Sequence, residues 1–186
     1  IDYLKWGGFK LRQLRTVKDF VASDFRSVSY TAKQLRSVGF TTLEIHEAGY
    51  TGSEFKESGF TARELKDIGY IAQDLKVAGY LATHLEDAGF SISELREGGY
   101  EPDEMKLVSY SAEEVRAAGF SVIDMRQMGF RPKELKDGGV SSEEIKAAGF
   151  PVWQLREAFP IWQLLGKKSS PPVSARSPGP TARTHS

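Results

Sequence analysis

TARELKDIGY, residues 61–70, decides the fold, because the same ten-residue pattern recurs on both sides of it without a gap. SAEEVRAAGF (111–120) and SSEEIKAAGF (141–150) repeat it closely, and from Val21 to Pro160 the chain divides into fourteen consecutive decapeptides. With the slots of each block numbered one to ten, slot five is always apolar, from Phe25 and Leu35 through to Leu155. Slot nine is Gly in the blocks ending between residues 40 and 150, except for Ser109. Slot ten is Phe or Tyr from Tyr30 to Phe150, except for Val140. A fixed short period marks a repeat array and takes precedence over any local motif.

Each slot has a reason at a helix end. Slot one is often Ser or Thr (Thr31, Thr41, Thr61, Ser111, Ser141) and slot four is usually Glu or Asp, which together form a capping box. Slot two then falls on the first helical position, where Pro102 and Pro132 lose no intrahelical bond. Gly at slot nine supplies the left-handed residue that stops the helix, and the basic residue at slot six lies towards the negative end of the helix dipole. Each block therefore reads as a helix of about seven residues. The aromatic at slot ten sits between two slot-five side chains, so Tyr70 is expected to touch both Leu65 and Leu75. Helices far below the ~12–15 residues of marginal stability need neighbours, so the expected fold is all-α, a solenoid or superhelix with one short helix per repeat. Its handedness and the number of helices per turn are not set by the sequence.

The array extends over residues 1–166. Leu4, Gly8, Phe9, Leu14 and Phe20 fit the pattern irregularly across 1–20, and Ile1 falls inside a repeat, which suggests a longer chain with more on the N-terminal side. At the other end, residues 151–166 read as a cap: Phe159 replaces Gly, Pro160 replaces the aromatic, and IWQLL follows. Residues 167–186, KKSSPPVSARSPGPTARTHS, read as a disordered basic tail. Four of the 25 cations and none of the 25 acids lie there, so the array carries about −4 and the tail about +4. Ser170 and Ser177 precede prolines, the setting of proline-directed phosphorylation, although the plainer reading is a solvated terminus.

Reactive chemistry is hard to find in this pattern. Cysteine is absent, and no apolar run reaches the ~18 residues of a membrane-spanning helix. His46, His84 and His185 have no metal-ligand spacing, and the glycines fall at helix stops rather than in phosphate-binding loops. The carboxylates sit at capping positions. No enzyme, metal or cofactor is therefore expected, and no compartment is assigned.

Two surface rows remain. Slot six is Lys or Arg in twelve of the fourteen blocks, a ribbon in which Arg96, Lys106, Arg116, Arg126, Lys136 and Lys146 are candidate anion ligands. Slot four supplies eleven acids alongside it, so dipole matching and ion pairs between repeats are the stronger explanation, and nucleic acid is an unlikely partner. LATHLEDAGF inverts the pattern with His84 at slot four and Glu86 at slot six, which hints at local pairing. Slots three and seven vary most and share a helix face. There, at the cap slot and at the C-terminal end, Leu43, Ile71, Val77, Leu81, Leu107, Ile123, Trp153 and Trp162 are candidate partner-binding residues, with Ile71, Val77 and Leu81 a candidate patch.

The motif [FY]-[ST]-A-x-E-L-[KR]-x-A-G, seen as FTARELKDIG at 60–69, resembles the decapeptide short-helix repeats of algae and other unicellular eukaryotes over about residues 4–165. That resemblance implies a helical solenoid used as an interaction module, and no particular activity. The leading expectation is a non-catalytic protein–protein interaction scaffold or linker, part of a larger protein or multi-subunit assembly. The alternative is binding of nucleic acid or an anionic surface through the cation row and the tail.

Overall fold

Hydroxyls, acids and glycines at fixed spacing give one short helix per decapeptide. The computed structural model describes residues 20–164, with Leu11 and Gln13; among these every element is helical. The repeats before Phe20, the tail at 167–186 with Ser170 and Ser177, and the side chain of Trp162 lie outside the described residues. The helices are slightly shorter than the sequence suggests. Ala22–Ser27, Ala32–Ser37, Ala72–Val77 and Ala112–Ala117 each have six residues, because slot eight already serves as the C-cap.

Block 61–70 shows how a unit is closed. Thr61 is extended (φ −83°, ψ 156°) and its side chain accepts the Glu64 N–H, while Glu64 Oε2 accepts the Thr61 N–H at 2.8 Å. At the far end Gly69 takes φ +96°, which lets the Tyr70 N–H reach back to the Leu65 carbonyl at 3.0 Å. A side chain there would be strained by the backbone alone. Ile71 and Leu81, which lack a hydroxyl, make only the other half of the box: their N–H groups donate to Asp74 Oδ2 at 3.3 Å and His84 Nδ1 at 3.0 Å.

Helices pack chiefly against the next but one, so the array consists of two stacks, and one turn of the coil takes two blocks. The tyrosines make this period explicit. The Tyr80 hydroxyl donates to the Phe60 carbonyl at 2.7 Å and that of Tyr100 to the Tyr80 carbonyl at 2.8 Å, each across twenty residues. Slot five lies wholly inside, and most slot-ten aromatics are buried around it. Phe55 meets Phe60 of its own block at 4.9 Å and Tyr70 of the next at 6.3 Å, both edge-on; Phe20 meets the following Phe25 at 5.9 Å. Tyr70 is only partly buried, with its ring on the core.

Slot two meets slot eight of the block two further on. A Cβ on Gly98 would lie 2.6 Å from the Ala72 Cβ, and one on Gly138 would lie 2.7 Å from the Ala112 Cβ. Small residues here let the stacked backbones approach.

Two blocks depart from the rule. In EPDEMKLVSY (101–110) the helix shrinks to a 3₁₀ turn, Pro102–Met105. At the C-terminal end the Val152–Ala158 helix gains a seventh residue, and Phe159, extended rather than left-handed, fills the aromatic seat one position early and is buried. The short helix Ile161–Leu164 follows.

Candidate functional site

The slot-six cations are built into the coil. Lys66 Nζ donates to the Gly89 carbonyl at 2.6 Å while lying 4.0 Å from the Phe90 ring centroid, so it satisfies a helix C-terminus two blocks onward and covers that block's aromatic. Arg126 bonds the Ala148 and Gly149 carbonyls at 2.9 and 2.6 Å, and Lys136 bonds that of Ala158 at 2.9 Å. Lys56, Lys76, Arg96 and Arg116 reach the carbonyls of Gly79, Gly99, Ala118 and Gly139. Some cations also hold the acid of the third block on: Arg36–Glu64 at 2.8 Å and Lys76–Glu104 at 2.6 Å. The row thus matches a helix dipole, but that of a later block rather than its own. Of the six candidate anion ligands, Arg96, Arg116, Arg126 and Lys136 are committed to these carbonyls. Lys106 pairs with Asp103 of its own block at 2.7 Å, and Lys146 lies 5.7 Å from the Phe159 ring centroid.

The exceptions keep the geometry with different chemistry. His46 Nδ1 lies 3.1 Å from the Tyr70 hydroxyl, its ring edge-on at 5.2 Å, so it covers the aromatic as a cation would. Glu86 does not pair with His84, as the inverted block suggested. It accepts the Ser109 N–H at 2.6 Å, twenty-three residues away, where a cation elsewhere would meet a carbonyl. Sequence reasoning noted the oddities at Glu86 and Ser109 separately; the signal that joins them is the twenty-three-residue offset shared by Lys66 and Gly89.

The same contacts set the electrostatics. The Ser91 N–H holds Glu94 below the ordinary carboxylate range, and the Glu101 N–H, with Lys76 beside it, does the same for Glu104. Burial pushes Tyr80, Tyr100 and Tyr110 up to about 12. Among the described residues no cluster of His, Cys, Asp or Glu has the arrangement of a metal site, and no helix is long and apolar enough to cross a membrane.

A model of the decapeptide repeat region matches residues 1–62, 29–102 and 99–166. The chain belongs to the decapeptide repeat family. No curated protein and no solved structure matched it. Within this decapeptide array the variable positions face outward. Val77 is 82 % exposed, Leu107 83 % and Trp153 65 %, and Leu43, Ile71, Leu81 and Ile123 are exposed too. Ile71, Val77 and Trp153 belong to one stack, and Leu43, Leu81, Leu107 and Ile123 to the other. Val77 lines an open groove with His46, Ser53 and Tyr70, whereas Ile71 lines another with Phe90, Glu94 and Glu97. The grooves arise because slot three of one block lies beside slot seven of the block two further on.

Proposed function

We propose that this decapeptide array is a non-catalytic protein–protein interaction scaffold or linker, part of a larger protein or multi-subunit assembly. One observation carries the reading. The groups that repeat are consumed in holding block to block, while those that do not repeat, including Leu43, Val77, Leu107, Ile123 and Trp153, project from both stacks. A regular coil with a different side chain at each outward position suits recognition along its length. Photo-crosslinking residues placed at Val77, Leu107 and Trp153 of the full chain in its native cell test this. Protein adducts at these positions are expected; nucleic acid alone in the adducts, or none at all, refutes the scaffold.

Anion binding is the second reading, favoured by the four tail cations and by Lys106, whose carboxylate partner lies at the surface. Reversing Arg116 or Arg126 is a poor test, since it would break the coil. A salt titration of oligonucleotide binding with Lys106→Glu, Lys167→Glu and Lys168→Glu combined is cleaner, and affinity independent of salt and of these charges counts against it.

A further inference from the structure

Block 101–110 departs from the regular coil in five ways. Ser109 stands where its neighbours have Gly99 and Gly119, and it does not take the left-handed conformation of those residues. Its N–H donates to Glu86 at 2.6 Å instead of to the slot-six carbonyl of its own block, the bond made by Gly99 to Arg96 and by Gly119 to Arg116. The Tyr110 N–H lacks the return bond to slot five that Tyr100 makes to Leu95 and Phe120 makes to Val115. The helix is reduced to the 3₁₀ turn Pro102–Met105. The cation rungs are missing on both sides, as they are at Gly49, Gly59 and Gly69, but for a different reason: slot six two blocks earlier is Glu86, and Lys106 turns back to Asp103, leaving the Gly129 carbonyl without a cation among the described residues.

We propose that block 101–110 is a built-in joint of the array, at which the coil bends, and that Glu86 is the latch that limits the bending. An acceptor at slot six requires a donor at slot nine two blocks on. Presenting the Ser109 N–H forgoes the turn that closes most blocks, so the back of this block is held by Glu86, by the Val108 N–H on the Met105 carbonyl at 3.3 Å and by the Tyr110 hydroxyl on the Phe90 carbonyl, without the slot-nine and slot-ten backbone bonds. Its front is still fastened by Lys76, which bonds both Glu104 and the Gly99 carbonyl, so the give falls on Leu107–Tyr110. Leu107, 83 % exposed, rides on that segment. The inference goes beyond the scaffold reading and does not depend on it.

The absence of cysteine makes paired spin labels straightforward. Glu57, Glu97 and Asp137 are exposed slot-seven positions on one stack, spaced by forty residues. Labels at Glu97→Cys and Asp137→Cys span the joint; labels at Glu57→Cys and Glu97→Cys do not. The joint requires a broader distance distribution for the spanning pair, narrowing to that of the control pair when Glu86→Lys and Ser109→Gly together restore a regular rung. Hydrogen exchange gives a second measurement without the repair. Amides of 107–110 should exchange at least about tenfold faster than those of 97–100 and 117–120, and Glu86→Ala should quicken Ser109 by about 10- to 100-fold. Equal label distributions with equal protection overturn the proposal, and a broad distribution that the double substitution leaves unchanged overturns the role of the Glu86–Ser109 pair.

Discussion

The phenol of Tyr80 shows what a single side chain does in this coil. Its ring fills the core and its hydroxyl donates to the Phe60 carbonyl one turn back, so it joins turns that sequence distance keeps apart. Tyr80→Phe keeps the ring and orphans the carbonyl, and should cost about 1 kcal/mol by urea unfolding. The raised pKa values predict the alkaline limit. Between about 10, where an unfolded tyrosine ionises, and about 12, where Tyr80, Tyr100 and Tyr110 do so in the fold, the folded chain keeps protons that the unfolded chain has lost. Stability is therefore complete below the first value and falls as pH rises through the second. The sign reverses for Glu94 and Glu104, whose lowered pKa values stabilise the fold above the ordinary carboxylate range and cease to do so as pH falls through them. Thermal midpoints measured across pH should drop at both edges.

At the scale of a helix, the caps and the close approaches separate two kinds of constraint. Ile71 and Leu81 occupy cap positions with no side-chain bond, so Ile71→Thr and Leu81→Thr should each stabilise by about 0.5–1 kcal/mol. Gly98 has ordinary helical angles, φ −70°, so Gly98→Ala tests packing alone: its Cβ would meet that of Ala72 at 2.6 Å, and a loss of about 1–3 kcal/mol is expected by denaturation. This scale was the most legible from sequence. Thr61, Glu64 and Gly69 act on their own block, within hydrogen-bond reach along the chain, so spacing alone reveals them. The cation row was legible only as a row. Lys66 acts on Gly89, and nothing in a single decapeptide says that its partner lies two blocks away until the coil period is known. The candidate apolar residues could be read as exposed from their slots, but their division between two stacks required that same period.

Across the whole molecule, interactions that skip a block turn a string of near-identical units into one with addresses. Most rungs are interchangeable, since a cation meets a C-terminal carbonyl of a later helix, glycine or alanine, wherever the register falls. Removing one decapeptide should therefore cost mainly one block's share of nearest-neighbour stacking. The Glu86–Ser109 pair is not interchangeable. Deleting residues 91–100 leaves one block too few between them, so Glu86 would face the C-terminal carbonyls of block 111–120, a carboxylate against the negative end of a helix, while the Ser109 N–H would lose its acceptor. Deleting residues 131–140 removes the same length but leaves that pair alone, and carries Arg116 onto the Gly149 carbonyl and Arg126 towards that of Ala158. The first deletion should unfold at a lower urea concentration than the second by an amount equivalent to about 1.5–3 kcal/mol, and Glu86→Lys within it should recover part of the loss, because a cation then meets the carbonyl of a regular block. Equal midpoints for the two deletions would mean that the array carries no such address, and that each decapeptide stacks on any other.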